Sequence, residues 1–254
     1  GEAVAILGAN GAGKTTLINA IAGLLRPAGG SIRFEGHELV GLSPHRIVEM
    51  GIATVPENRR LFEPMSVMEN LNLGAYAGRA HAGAAATLEH IFDLFPRLAE
   101  RRRQAVRTMS GGERQMVAIG RALMSNPEVL LCDELSLGLA PVVIKDIYGA
   151  FSKIRASGAA IVIVEQDIAQ ALKVADRVYC MTARPGSIKA EIPIPLERPR
   201  QQTMMMSSEF LALRRGLMSL IREESLKAVG GEINDMGMQG LNIELHGHSL
   251  ADVI

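Results

Sequence analysis

The sequence predicts an α/β fold with a mostly parallel sheet, interrupted by a helical insertion. Three observations carry that expectation. Short apolar runs of strand length alternate with stretches of helical period. Val129–Cys132 is apolar throughout, as when both faces of a strand are covered. Residues 66–108 read as mostly helical and break the alternation.

Taken in order, Val4–Leu7 is an apolar strand that runs into a glycine-rich turn. A helix follows, with Leu17, Ile18, Ile21 and Leu24/Leu25 at helical spacing, ended by Pro27 and Gly29-Gly30. Ser31–Glu35 reads as a strand. Ser43-Pro44 opens the next helix, with Ser as cap and Pro at the first position. Ile52–Val55 is a short strand stopped by Pro56. Ser66-x-x-Glu69 has the form of a capping box. The run Arg101-Arg102-Arg103 reads as a solvated helix face. A helix is expected from about Gly111 to Ser125, another over Pro141–Ser157 closed by Gly158, then a strand at Ala160–Val164, a short helix capped by Asp167 and a strand at Arg177–Met181. Beyond Thr182 the composition changes. A Pro/Arg-rich link, Pro193 to Pro199, leads to a last amphipathic helix carrying Phe210, Leu211, Leu213, Leu217, Leu220 and Ile221. Residues 229–254 show no period and read as a disordered tail. The first residue is Gly1, and apolar alternation begins at once. That pattern suggests a domain whose N-terminal strands are missing.

Bulk properties narrow the function classes. The chain has 254 residues, 48% of them hydrophobic, with 27 Lys+Arg against 27 Asp+Glu. That length suits one large domain, or one domain with a tail. Zero net charge argues against a protein that coats nucleic acid. Cys132 and Cys180 both sit in apolar strand-like runs and read as core residues rather than a disulfide framework. No stretch reaches the roughly 18 apolar residues a membrane helix needs, and the N-terminus lacks a signal-peptide pattern. Any membrane role must come through a partner chain. The six histidines show no convincing ligand spacing; His246 and His248 read as a solvated pair.

The chemistry is carried by two segments. Gly8-Ala9-Asn10-Gly11-Ala12-Gly13-Lys14-Thr15-Thr16 matches the phosphate-loop pattern G-x-x-x-x-G-K-[ST], and it follows a strand and opens a helix, the context that pattern needs. Its glycines let backbone N–H groups turn toward phosphates, and the helix N-terminus adds positive potential. Lys14 is expected to reach the β- and γ-phosphates, and Thr15 to hold Mg²⁺ through its hydroxyl. The candidate nucleotide set here is Gly8, Asn10, Gly11, Gly13, Lys14, Thr15 and Thr16. The second segment is Val129–Glu134: four apolar residues, then Asp133 and Glu134 at the C-terminal end of a buried strand, where ligands of such sheets bind. Asp133 is expected to help orient Mg²⁺ and Glu134 to accept a proton from the attacking water. Together these give a P-loop NTPase.

Further motifs narrow the family. Met109-Ser110-Gly111-Gly112-Glu113-Arg114-Gln115 resembles the ABC signature and stands shortly before the Asp-Glu strand, as in that family; Ser110-x-x-Glu113 is also a capping box. Thr54–Phe62 resembles the Q-loop of branched-chain amino acid importer ATPases, with Glu57 where most ABC families have Gln. Met116–Met124 and Ser136–Pro141 look like the same subfamily. The resemblance spans roughly residues 1–180. It implies ATP and Mg²⁺ as cofactors, an ABC-type helical subdomain at about 66–125, and two chains that dock head to tail around two ATP molecules. Ser110, Gly111 and Gly112 would then face the nucleotide of the other subunit. It further implies transmembrane permease subunits, a periplasmic solute-binding protein acting indirectly, and a peripheral place on the cytoplasmic face of the bacterial inner membrane. Glu57 would stand where motion passes to the permease.

The sequence departs from that pattern in places. Leu135 stands where the family usually has Pro, which is expected to loosen the loop carrying Glu134. Gln166 stands where many ABC proteins have His. The branched-chain subfamily often has Glu-Gln there, as in Glu165-Gln166, so Gln166 is expected to donate a hydrogen bond to the γ-phosphate without titrating. Ala183–Ile188 and Ser208–Arg215 look like the end of nitrate/sulfonate/taurine importer ATPases. The expected organisation is therefore an ATPase domain over 1–182, a C-terminal extension over 183–228 and the tail. ABC proteins normally stack adenine on an aromatic residue upstream of the P-loop, and no residue here takes that role. The leading expectation is the ATPase of a branched-chain amino acid importer. A nitrate/sulfonate/taurine-type importer, a non-transport ABC ATPase and an inactive fragment remain as alternatives.

Overall fold

The computed structural model describes residues 1–229. In chain order the elements are β1 (Ala3–Gly8), α1 (Lys14–Ile21), β2 (Arg33–Phe34), β3 (His37–Glu38), α2 (Pro44–Met50), β4 (Ile52–Val55), α3 (Val67–Gly74), α4 (Ala84–Leu94), α5 (Pro96–Glu100), α6 (Gly111–Leu123), β5 (Val129–Asp133), α7 (Pro141–Ala156), β6 (Ala160–Val164), α8 (Ile168–Val174), β7 (Arg177–Met181), β8 (Ile188–Pro193) and α9 (Ser208–Val229). The expected α/β alternation is present. The chain divides into two compact units. The expected tail, past Val229, lies outside the described residues, and so do His246 and His248.

The first unit holds residues 41–161, with Gly1 and Ala22–Leu24. Its strands β4 and β5 run parallel, with Ile52 opposite Val129 and Val55 opposite Cys132. Both are almost wholly buried, which is why they read as continuous apolar runs. The helical insertion covers α3 to α6. Ser66 caps α3 through the anticipated box: it accepts the Glu69 N–H at 3.2 Å, and Glu69 accepts the Ser66 N–H at 2.7 Å. Helices α3 and α6 cross so closely that a side chain at Gly74 would meet the Arg121 carbonyl oxygen at 1.9 Å. The three arginines expected on a helix face instead occupy the turn after α5. Arg101 there pairs with Glu113 at 3.1 Å. Backbone bonds draw the turn: the Gln104 N–H meets the Arg101 carbonyl at 2.8 Å, and the Met68 N–H meets the Arg102 carbonyl at 2.9 Å.

The second unit is built on β1, β7 and β8. Strand β1 pairs parallel with β7, from Val4 opposite Arg177 to Gly8 opposite Met181. Strand β8 adds antiparallel to β7. This strand was missed in the sequence, although Ile188, Ala190 and Ile192 alternate and all three are buried. Strands β2 and β3 form a hairpin rather than the single strand expected over Ser31–Glu35. Glu35 and Gly36, at φ 49° and 78°, supply the two left-handed residues of a tight turn. Helix α1 stops at Ile21, before the expected Pro27: Gly23 at φ 70° leaves helical space, and Leu24 and Leu25 are exposed instead of continuing the apolar face.

One apolar core joins Ala5 and Leu7 of β1, Leu172 of α8, Val178 and Cys180 of β7, Ile192 of β8 and Phe210, Leu217 and Leu220 of α9. Burial pushes the Cys180 thiol up to about 12, so it behaves as a packing group. The Pro/Arg-rich stretch is tied to its neighbours: Arg198 pairs with Asp176 at 2.7 Å, and Arg200 donates to the carbonyls of Leu172 and Ile194 at 2.7 and 3.0 Å. Phe210→Ala, which empties a fully buried ring site, is expected to cost about 3–5 kcal/mol. The check is the shift of the denaturant midpoint at unchanged slope.

Candidate functional site

In the second unit the chain leaves β1 at Gly8 and enters α1 at Lys14. Gly11 and Gly13 sit at φ 81° and 95°, the left-handed conformation that turns successive backbone N–H groups inward. The loop is closed by the Ala12 N–H on the Ala9 carbonyl at 3.1 Å. Gly8 is needed for another reason: a side chain there would press on Ala12 and on Met181 of β7 at 3.2 Å. Lys14 is buried, and its ammonium folds over its own loop, donating to the carbonyls of Gly8 and Ala9 at 3.0 and 3.2 Å. Asn10, Gly11, Thr15 and Thr16 lie on the exposed side. The loop therefore presents backbone donors, a cation and two hydroxyls from one turn and the first turn of one helix, a set suited to a polyphosphate.

Gln166 belongs to the same unit, just past β6, and is exposed. Its neighbour Glu165 is buried, and the Glu165 N–H donates to the Ile6 carbonyl at 3.2 Å, which ties this turn to β1. Asp167 then caps α8, accepting the Ala169 N–H at 2.8 Å. Gln166 is thus held between two fixed residues at the C-terminal end of a strand.

Glu57, Ser110, Gly111, Gly112, Asp133 and Glu134 lie in the first unit. The register of β4 on β5 puts Glu57 two residues past Val55 and Glu134 two residues past Cys132, at the same sheet edge. Asp133 is buried, while Glu134 is partly exposed at φ 47°. A non-glycine residue in that region is uncommon and is held by its surroundings. Leu135 supplies part of that hold. It was expected to loosen the loop, but its side chain is only 1% exposed, so burial pins the residue directly after Glu134.

The Glu57 loop is clamped from α6. Arg59 donates to Gln115 Oε1 at 2.6 Å, and Arg121 donates to the carbonyls of Arg60 and Arg59 at 2.8 and 2.9 Å. Arg59 and Arg60 sit at φ 57° and 45°, a shape this clamp maintains. Gln115 and Arg121 were not singled out in the sequence. The available signal was the charge of Arg121 within the otherwise apolar and small run Met116–Met124; Gln115, next to Glu113 and Arg114, gave none.

Ser110 caps α6 in a full box. It accepts the Glu113 N–H at 3.3 Å, and Glu113 accepts the Ser110 N–H and hydroxyl at 2.9 Å each. The capping reading therefore holds, and Ser110 is still exposed at a helix N-terminus. Gly112 packs on Val143 so tightly that a side chain would stand 2.5 Å from it. Burial works to raise the Glu113 carboxyl. Ser110's N–H and hydroxyl and the Arg101 charge outweigh it and hold the group below its ordinary value of 4.5. Among the described residues no group of three or more His, Cys, Asp or Glu forms a metal cluster, and no helix is long and apolar enough to cross a membrane.

Residues 1–136 match the family described as ABC transporter. The chain is 49% identical over 181 residues to the high-affinity branched-chain amino acid transport ATP-binding protein BraG of Pseudomonas aeruginosa, covering 71% of this chain and 77% of that protein. It is 33% identical over 197 residues to the taurine import ATP-binding protein TauB of a Jannaschia species, covering 77% and 71%. It also resembles a solved dimeric ATP-binding cassette in a post-hydrolysis state bound to ADP and Pi, with a TM-score of 0.62, 25% identity and coverage of 77% and 87%.

The Glu113 box gives a signed pH prediction. A carboxyl depressed in the folded state adds stability above 4.5, and that gain is lost as pH falls through the lower folded value. Glu113→Gln is expected to be less stable than the parent at pH 7, and the gap should narrow as pH drops below 4. Denaturant unfolding of both proteins at the two pH values checks it.

Proposed function

The chain belongs to the ABC transporter family and hydrolyses ATP, and on that premise we propose that it powers an importer of branched-chain amino acids. The observation that carries the ATPase part of this reading is the phosphate loop, with Lys14 folded over it and Gly11 and Gly13 in left-handed turns. The identity of nearly half with BraG favours branched-chain solutes over taurine, whose relative is more distant.

In this reading the N–H groups of the Gly8–Thr16 loop and the Lys14 ammonium bind the triphosphate, with Asn10, Gly11, Gly13 and Thr16 shaping the cradle. Charge stabilisation by fixed donors supplies most of what phosphoryl transfer needs. Glu134 accepts the proton of the attacking water. Gln166 donates a hydrogen bond to the γ-phosphate. The oxygens of Thr15 and Asp133 are the donor types a hard dication takes, so these residues suit Mg²⁺. When bound, Mg²⁺ would neutralise charge on the transferring phosphate. Ser110, Gly111 and Gly112 of one copy would complete the site of the other, the exposed α6 N-terminus meeting a γ-phosphate. The dimer seen in the solved relative supports that arrangement. Membrane permeases at the inner-membrane face would take up the motion through the clamped Glu57 loop, and a periplasmic binding protein would choose the solute.

Two measurements test the reading. Glu134→Gln is expected to lower kcat by about 10²–10⁴-fold while Mg-ATP still binds, the range for loss of a general base; unchanged turnover would remove Glu134 from the chemistry. Because Gln166 does not titrate near neutral pH, Gln166→Ala should slow ATP hydrolysis by a similar factor at every pH from 6 to 9. A variant as active as the parent would remove Gln166 from the γ-phosphate.

A further inference from the structure

The turn between β7 and β8 lies directly against the phosphate loop. A side chain at Gly186 would stand 2.4 Å from the Ala12 carbonyl oxygen, so only glycine permits the contact. The turn is closed by its own bonds: the Thr182 N–H on the Ser187 carbonyl at 2.9 Å, the Ser187 N–H on Thr182 Oγ1 at 2.9 Å, and the Thr182 hydroxyl on the Pro185 carbonyl at 2.6 Å. From its far side α9 holds it. Glu224, only 3% exposed, accepts the Ala183 N–H at 3.2 Å and the Lys189 ammonium at 2.8 Å. Lys189 also meets Glu223 at 2.6 Å, and Lys227 reaches Glu224 at 3.1 Å. The buried carboxylate is therefore paired on two sides.

This support has one visible product. Arg184 is held at φ 46°, an uncommon conformation for a side chain of its size. Its guanidinium is thereby placed 3.7 Å from where a side chain on Gly11 would begin. Gly11 and Arg184 are both exposed, on the rim of the loop. Among the described residues Arg184 has no hydrogen-bond or ion-pair partner, unlike Lys14. A strained, solvated cation next to a phosphate cradle is suited to one ligand class. The planar guanidinium matches phosphate oxygens with paired donors.

We propose that Arg184 is a further nucleotide-phosphate-binding residue, delivered to the rim of the P-loop by a turn that Glu224 anchors to the C-terminal helix. This rests on the P-loop reading above. It makes α9 part of the nucleotide site: Glu224 acts through Arg184 and touches no nucleotide itself.

The test is titration of the full chain with a fluorescent N-methylanthraniloyl ATP and the matching ADP, in the parent and in Arg184→Ala, Arg184→Lys, Glu224→Ala, Arg184→Ala/Glu224→Ala and Lys14→Ala. Arg184→Ala is expected to weaken binding about tenfold, the effect of one lost charge-assisted contact. Arg184→Lys should fall between it and the parent, since it keeps charge but loses the fork. Glu224→Ala should weaken binding less, and should add nothing when Arg184 is already Ala, the non-additivity expected of one linkage. Parent-like affinity in Arg184→Ala, with nucleotide lost in Lys14→Ala, overturns the proposal and leaves the P-loop reading standing. Parent-like affinity in Lys14→Ala would overturn both. Arg184 is exposed, so its removal leaves the core intact and the result readable even if Glu224→Ala fails to fold.

Discussion

The constraint on which the rest depends is the curl of backbone between Gly8 and Lys14. A polyphosphate carries several negative charges, and a protein without an excess of basic residues must answer them locally. This chain has as many acidic as basic groups. It answers with oriented N–H dipoles, a helix N-terminus and one ammonium folded over its own carbonyls. That curl requires left-handed residues at Gly11 and Gly13 and close packing at Gly8, so its glycines are fixed by geometry as well as by chemistry.

Much of the remaining structure keeps such loops in shape. The Glu57 loop is clamped by Gln115 and Arg121 of the helix that Ser110 caps, so the α6 N-terminus and that loop share one rigid support. Glu134 occupies a left-handed position beside the buried Leu135. In the second unit the β7–β8 turn, Gly186 and Glu224 brace the phosphate loop. The same device recurs: a left-handed residue that is not buried, held by a buried or multiply bonded neighbour. Strain of this kind persists only where the surroundings over-determine it.

Local chemistry was legible in the sequence where the residues carrying it are adjacent. The P-loop, the Asp133-Glu134 pair and the Ser110 box were all readable, because strand, turn and helix follow one another within a few residues. The α/β alternation was readable from apolar runs such as Val129–Cys132. What escaped depends on distant partners. Strand β8 exists because β7 offers it an edge, and its alternation at Ile188, Ala190 and Ile192 is too short to speak alone. The turn at Arg101–Arg103 is bonded to α3 through the Met68 N–H on the Arg102 carbonyl, thirty-four residues apart. Helix α1 ends early because Gly23 leaves helical space where it meets Ile47 and Leu42, which no window around residue 23 contains. The hold of α9 on the phosphate-loop brace passes through Glu224 and Ala183, forty-one residues apart.

The proposed function asks Thr15 and Asp133 each to contribute to binding of the metal–nucleotide complex. Electron paramagnetic resonance of Mn²⁺, substituted for Mg²⁺ and titrated with ATP, reads that directly. Nucleotide-dependent Mn²⁺ binding is expected to weaken in both Thr15→Val and Asp133→Asn, with the double variant losing less than the sum of the two. Mn²⁺ binding indifferent to either change, or two losses that simply add, would contradict it.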